Sequence, residues 1–202
     1  MRRIGALIFP GFELLDLYGP MEMFGLLPNA FSLDIVAERT GPVESNQKLK
    51  GFAETSLDEA PHYDVLFVPG GAGTRREIAN SRLLDWIAAR SESAEFTLSV
   101  CTGSALLAKA GVLDRRRATT NKAAYSWVKE QGPHVDWVAQ ARWVEDGSFL
   151  TSSGVSAGMD MALGAIALMC GQAAAEDVAK WCEYSWHSDK SHDPFAQIHG
   201  LT

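Results

Sequence analysis

Residues 96–104, FTLSVCTGS, run from an apolar stretch of strand type into a stretch of helix type, and Cys101 stands at the junction. Phe96–Val100 predicts a buried strand, and residues 104–110 predict a helix that ends at Gly111. Small residues around the cysteine allow the backbone to turn back sharply without collision. This pattern is typical of a nucleophile elbow, in which the nucleophile sits on a strained strand-to-helix turn.

Three further apolar runs predict strands that are buried on both faces. They are residues 4–9, Phe31–Ala37 and Val65–Val68. Segments with helical spacing lie between these runs, at residues 21–27 after Pro20 and at residues 81–90. The alternation of strands and helices predicts an α/β sandwich with a mostly parallel sheet and helices on both faces.

The C-terminal part of the chain predicts a hairpin followed by two helices. Residues 137–144 and Phe149–Ser152 flank the turn cluster at residues 145–147, and the helices are predicted over residues 156–170 and 173–186. The chain is polar beyond His187, so we expect an irregular tail over about residues 188–202. A length of 202 residues, with no repeat and no linker, predicts a single domain over residues 1–202.

The composition argues against several classes of partner. The net charge of -7 and the pI near 5.2 leave no broad basic face, so we expect no nucleic acid ligand, and Arg115–Arg117 is interpreted as a solvated turn. No stretch reaches the roughly 20 apolar residues of a membrane span. The three cysteines fit neither a disulfide framework nor a zinc site. We therefore expect a cytoplasmic protein that binds no membrane and no metal.

Cys101 is the residue that we expect to carry chemistry. A thiol at a helix N-terminus faces unpaired backbone N–H groups and the positive end of the helix dipole, which predicts a lowered pKa and a thiolate. Cys170 and Cys182 lie within predicted helices and are interpreted as inert. An attacking nucleophile also needs donors for the charge that develops on the substrate.

Those donors are predicted from two turns. The backbone N–H of Thr102 follows the nucleophile directly, and the turn at residues 68–73, with Gly70 and Gly71, follows another buried strand and would lie at the same edge of the sheet. Asp16 lies in an apolar stretch just before a predicted helix and has two interpretations. It caps that helix, or it faces Cys101 as a protonated acid whose pKa is raised by burial and by the neighbouring thiolate.

The order and spacing of these motifs resemble the DJ-1/PfpI superfamily over nearly the whole chain. The matching segments are the strand at residues 4–9, Asp16 before Gly19 and Pro20, VPGG at 68–71, VCTG at 100–103, RATT at 117–120 and TSSGVSAG at 151–158. Within the superfamily the chain is most similar to the isonitrile hydratases, which also have an Asp followed later by a Cys-Thr pair.

The resemblance implies a flavodoxin-like sandwich, a homodimer, no cofactor, and the addition of water to an isonitrile, a small-molecule substrate, to give an N-substituted formamide. By position it implies that Cys101 is the nucleophile and Asp16 the acid or positioning residue. It also implies that Thr102 supplies a hydroxyl and a backbone donor and that Gly71 supplies a second backbone donor.

One position departs from the superfamily pattern. Many members have a histidine shortly after the Thr-Thr that corresponds to Thr119 and Thr120, whereas this chain has Asn121 and Lys122. The departure weakens a peptidase or amidase interpretation, which needs a base beside the thiol. Glyoxalase or deglycase activity and a cysteine-based redox sensor remain as alternatives to the hydratase.

Overall fold

The computed structural model describes residues 1–201. It contains eleven strands: β1 (Arg2–Leu7), β2 (Phe31–Ala37), β3 (Gly41–Glu44), β4 (Lys50–Ala53), β5 (Thr55–Ser56), β6 (Val65–Val68), β7 (Phe96–Val100), β8 (Arg117–Ala118), β9 (Asp136–Trp137), β10 (Trp143–Asp146) and β11 (Phe149–Ser152). The helices are α1 (Leu14–Gly25), α2 (Thr74–Glu77), α3 (Ser81–Ser93), α4 (Gly103–Lys109), α5 (Tyr125–Gln131), α6 (Ala157–Cys170), α7 (Gln172–Trp181) and α8 (Pro194–Ile198).

Seven strands form the central sheet in the order β10-β11-β7-β6-β1-β2-β5. All neighbouring pairs are parallel except β10 and β11, which form an antiparallel hairpin at one edge. The central strands explain the continuous apolar runs of the sequence, since all four residues of β6 are buried. The predicted mostly parallel sheet is therefore confirmed.

The helices cover this sheet in two groups. Helix α1 packs against α6, and α6 packs against α7, whereas α4 packs against α3 and α5. Together with the sheet they form the predicted flavodoxin-like three-layer sandwich. Within residues 1–201, no helix has both the length and the apolar character needed to cross a membrane.

Several predicted boundaries differ from the structure. Helix α1 begins at Leu14 and not after Pro20, which lies inside it, so Asp16 is in the first turn of the helix and not before it. Residues 138–142 are not part of the hairpin, whose turn is at Gly147 with φ +61°. Helix α7 ends at Trp181. The tail is not wholly irregular, because Asp193 caps the short helix α8.

Candidate active site

Cys101 lies on the predicted elbow between β7 and α4. Strand β7 ends at Val100, Cys101 has φ +57°, and α4 begins at Gly103. A positive φ is unusual for a residue with a Cβ atom and is maintained only where the surroundings fix the backbone. A sharp turn of this kind orients the side chain of residue 101 away from the strand axis.

Hydrogen bonds on both sides of the residue fix this backbone. The N–H of Cys101 donates to the carbonyl oxygens of Ser152 and Ser153, at 3.2 and 3.1 Å. Its carbonyl oxygen accepts from the hydroxyls of Thr120, at 2.9 Å, and Ser104, at 3.0 Å. The end of β11 and the loop after β8 thus position the elbow, which local sequence alone does not reveal.

Two backbone amides point at the sulfur. They belong to Thr102, as the elbow pattern predicts, and to Val155, and the Thr102 hydroxyl is a further hydrogen-bond partner. Val155 lies in the turn before α6 and has φ +41°, which is unusual for a β-branched residue. The sequence signal for Val155 was present only as part of the TSSGVSAG segment, and its role as a donor was missed.

Asp16 faces this cysteine from the first turn of α1. Its side chain is fully buried, and Oδ2 accepts a hydrogen bond of 2.9 Å from the N–H of Gly70. Within the described residues Oδ1 has no partner of ordinary hydrogen-bond geometry, although the Cys101 thiol beside the carboxyl acts as a weak donor that lowers the pKa of Asp16. Asp16 is not the N-cap of α1, a position occupied by Glu13.

Gly70 and Gly71 hold the acid and Thr102 in place, and neither N–H is free to stabilise a charge on the substrate. The N–H of Gly70 bonds Asp16, and that of Gly71 donates to Thr102 Oγ1 at 3.0 Å. Thr74 supports the same threonine, since its hydroxyl lies 3.1 Å from Thr102 Oγ1 and donates to the carbonyl of Gly71 at 2.7 Å. The predicted oxyanion role of Gly70 and Gly71 therefore does not match their hydrogen bonds.

The pKa of the Cys101 thiol, which lies beside Asp16, differs from the sequence-based expectation. Burial raises the pKa of the Cys101 thiol, and the neighbouring Asp16 carboxylate raises this pKa further. The amides of Thr102 and Val155 lower it by less. The predicted lowering of the thiol pKa by the helix N-terminus is therefore wrong, because Cys101 is only 6% exposed and desolvation exceeds the effect of a short helix.

Burial is also the largest influence on the pKa of Asp16. It raises the pKa of Asp16 to about 7, against the opposing hydrogen bond from Gly70. Near neutral pH the site therefore contains a protonated thiol next to a carboxyl that is divided between its two protonation states. Such a pair can move a proton from sulfur to carboxylate when the sulfur attacks an electrophile.

Within residues 1–201, no histidine is among the groups that shift the pKa of the Cys101 thiol. All five histidines are exposed at the surface. Asn121, which follows the Thr-Thr pair, accepts a hydrogen bond from the N–H of Ala124 at 3.0 Å and lies against Gly154. Within residues 1–201, no group of three or more His, Cys, Asp or Glu side chains is arranged to hold a metal ion.

Comparison with known proteins identifies the family to which this chain belongs. The family model described as DJ-1/PfpI family matches residues 2–168, which include the elbow, Asp16 and the turn at Val155. The chain belongs to the DJ-1/PfpI family. Isonitrile hydratase from Pseudomonas putida is 35% identical to it over 185 residues, which cover 91% of this chain and 78% of that protein.

The chain is also similar to a transcriptional regulator and to solved structures of the same fold. The HTH-type transcriptional regulator CdhR from Pseudomonas aeruginosa is 28% identical over 86% of this chain, which spans about half (52%) of that protein's length. A ThiJ/PfpI family protein from Pseudomonas syringae has a TM-score of 0.82 and 29% identity, covering 99% of this chain and 84% of that chain. DJ-1beta from Drosophila melanogaster, at TM-score 0.78 and 20% identity, covers 92% of this chain and 99% of that chain and shares the fold.

Proposed function

We propose that this protein hydrates an isonitrile to an N-substituted formamide, with Cys101 as nucleophile and Asp16 as proton carrier. One observation carries the proposal: a buried carboxyl, with one oxygen lacking an ordinary hydrogen-bond partner, lies beside a thiol at which two backbone amides point. The similarity to an isonitrile hydratase supports the choice of substrate. Membership of the DJ-1/PfpI family alone allows other reactions.

The first chemical step joins sulfur to the terminal isonitrile carbon. The thiol proton passes to the Asp16 carboxylate as the sulfur–carbon bond forms, and Asp16 then delivers this proton to the same carbon, where negative charge develops. The product is a thioimidate, R–N=CH–S–Cys101. Because the thiol pKa is raised, proton transfer and attack have to be coupled, and free thiolate does not accumulate.

The second step releases the product and restores the thiol. The oxygen of water adds to the thioimidate carbon and one proton of the water goes to the nitrogen. The carbon–sulfur bond then breaks as the C=O bond of the formamide forms, and the other proton of the water returns to the sulfur. The sum is one isonitrile and one water giving one formamide, so the reaction needs neither a redox change nor a cofactor. The amides of Thr102 and Val155 are the donors that we assign to the negative charge on sulfur.

The test is turnover of isonitriles by wild type and by matched cysteine variants. Wild type incubated with a panel of alkyl and aryl isonitriles should form the formamides, followed by proton NMR. Cys101→Ala should reduce the rate by about a thousandfold or more. Cys170→Ser, at an exposed cysteine on α6, should leave the rate unchanged. No turnover by wild type, or turnover that survives Cys101→Ala, would refute the proposal.

The alternatives have weaker support from the site. A redox sensor requires an exposed thiol of low pKa, and Cys101 is buried with a raised pKa. Glyoxalase activity would instead appear as Cys101-dependent conversion of methylglyoxal to lactate. We further propose that the protein acts as a cytoplasmic homodimer on a small molecule, without nucleic acid or membrane partners, in line with the net charge of -7.

A further inference from the structure

A cavity of about 220 Å³ adjoins the segments that hold Cys101. It is lined by residues 121–123 and 153–156 and, from the C-terminal segment, by Phe195 and His199. The two lining segments, residues 121–123 and 153–156, lie next to residues that bond the backbone of Cys101. The carbonyl of Ser153 accepts the N–H of Cys101, and Thr120, which precedes Asn121, donates to the carbonyl of Cys101.

The size and charge of the cavity restrict what it can accept. Its volume is below the roughly 300–1,000 Å³ that is typical of sites for drug-sized ligands, so it suits a small group. None of its lining residues is a carboxylate, and the polar ones are serines, an amide, a lysine and an imidazole. The Nζ of the buried Lys122 is directed to Thr119 Oγ1 and to the carbonyl of Ala141, at 2.8 and 2.6 Å.

The outer wall of the cavity is fixed to the domain by buried polar contacts. Asp193 accepts a hydrogen bond of 3.1 Å from the N–H of Phe195 and so caps α8, while its own N–H donates to Gln140 at 2.7 Å. Arg142 lies 3.8 Å from the Asp193 carboxylate. Both charged side chains are buried, which holds Phe195 at the cavity although half of its surface is exposed.

We propose that this cavity is the site for the isonitrile substituent and that Phe195 and His199 of the C-terminal segment are specificity-determining residues. The bound substrate would place its terminal carbon at Cys101 and its compact, uncharged substituent against Phe195. The inference rests on the proposed function for the identity of the substrate. Whether small molecules reach Cys101 through this cavity can be tested without any turnover.

The experiment compares alkylation of Cys101 by a small and a large reagent of the same chemistry. Iodoacetamide and N-benzyl iodoacetamide are reacted with the full-length protein, and labelling of the Cys101 peptide is followed by mass spectrometry. Phe195→Ala removes the ring from the wall and should raise the relative rate of the benzyl reagent by about tenfold. Ile198→Ala, on the same helix with 70% exposure and outside the lining, should not change this ratio.

An unchanged ratio in Phe195→Ala, an equal change in Ile198→Ala, or failure of both reagents to label Cys101 would overturn the inference. In the isonitrile assay, Phe195→Ala should shift kcat/KM in favour of bulky over small substituents, mainly through KM. If wild type does not hydrate isonitriles but the alkylation ratio changes as expected, the proposed function fails and the assignment of the cavity stands.

Discussion

Cys101 and Asp16 form a pair in which burial outweighs every favourable local interaction. A cysteine at a helix N-terminus is expected to ionise easily, yet the fully buried carboxyl and the nearly closed surroundings favour the neutral thiol. The same burial raises the pKa of Asp16 to about 7 and lets it exchange a proton near neutral pH. In the proposed reaction the pair would therefore work by proton transfer between the two groups and not through a preformed thiolate.

This pair predicts a specific pH dependence. Below about pH 7 the Asp16 carboxyl is increasingly protonated and cannot accept the thiol proton, so kcat/KM should fall by about tenfold per pH unit. Above this value the rate should level off. Asp16→Asn should lower kcat/KM strongly and abolish the inflection. The measurement is kcat/KM for isonitrile hydration from pH 5 to 9.

Asp16→Glu serves as the matched control, because it keeps a carboxyl at the site and should retain an acid-side inflection. An inflection near pH 7 that persists in Asp16→Asn would assign the titration to another group. That result would show that Asp16 does not carry the proton in this reaction.

At the scale of elements, the site depends on the close approach of the turn after β6 to the start of α4. A Cβ atom on Gly70 would lie 2.6 Å from the Thr102 nitrogen and 2.9 Å from Asp16 Oδ2. The space beside Gly103 is equally small, since a Cβ atom there would lie 2.3 Å from the carbonyl oxygen of Val68. Glycine at these positions lets two loops meet closely enough to bring the acid and the elbow together.

Gly70→Ala should therefore damage the site more than the fold. The added methyl group pushes Thr102 and Asp16 apart, and we expect kcat/KM to fall by about a hundredfold or more, as a displacement of about 1 Å can cause. The protein should remain folded by circular dichroism. Gly25→Ala at the end of α1 is the control, because its Cβ would make only an ordinary contact of 3.5 Å with Leu33. Equal activity losses in both variants would contradict this interpretation.

At the scale of the whole molecule, a buried ion pair holds the carboxylate to which the C-terminal segment is hydrogen-bonded. Arg142 Nε donates to Asp160 Oδ2 at 2.7 Å, and Asp160 Oδ1 also accepts from the hydroxyl of Tyr184 and the N–H of His187, each at 3.0 Å. Asp160 is fully buried at the start of α6. Removal of one partner leaves the other as an uncompensated buried charge.

Arg142→Met should lower the free energy of unfolding by roughly 3 to 5 kcal/mol, measured by denaturant titration. It should also increase hydrogen exchange over residues 184–199. Arg82→Met, which removes an exposed pair with Asp58, should cost less than about 1 kcal/mol and leave that exchange unchanged. Equal losses of stability in the two variants would show that the buried pair does not secure the segment.

The sequence by itself determined the sheet and the elbow, because both depend on local patterns. The predicted bounds of β2, β6 and β7 match the structure, since buried parallel strands are continuous apolar runs that end abruptly at turns. The start of α1 was misplaced because Pro20 is typical of a first turn but is tolerated inside this helix. The two-residue strands and α8 have too few residues to give a periodic signal.

Only the tertiary structure decided the protonation and the contacts of the candidate site. Proximity of Asp16, Cys101 and Val155 arises where three separate segments meet, and the pKa of each acid depends on how completely those segments exclude water. The same holds for Phe195, which reaches the cavity beside the elbow through a helix that buried charges anchor. Local sequence places residues on elements, whereas desolvation is a property of the packed molecule.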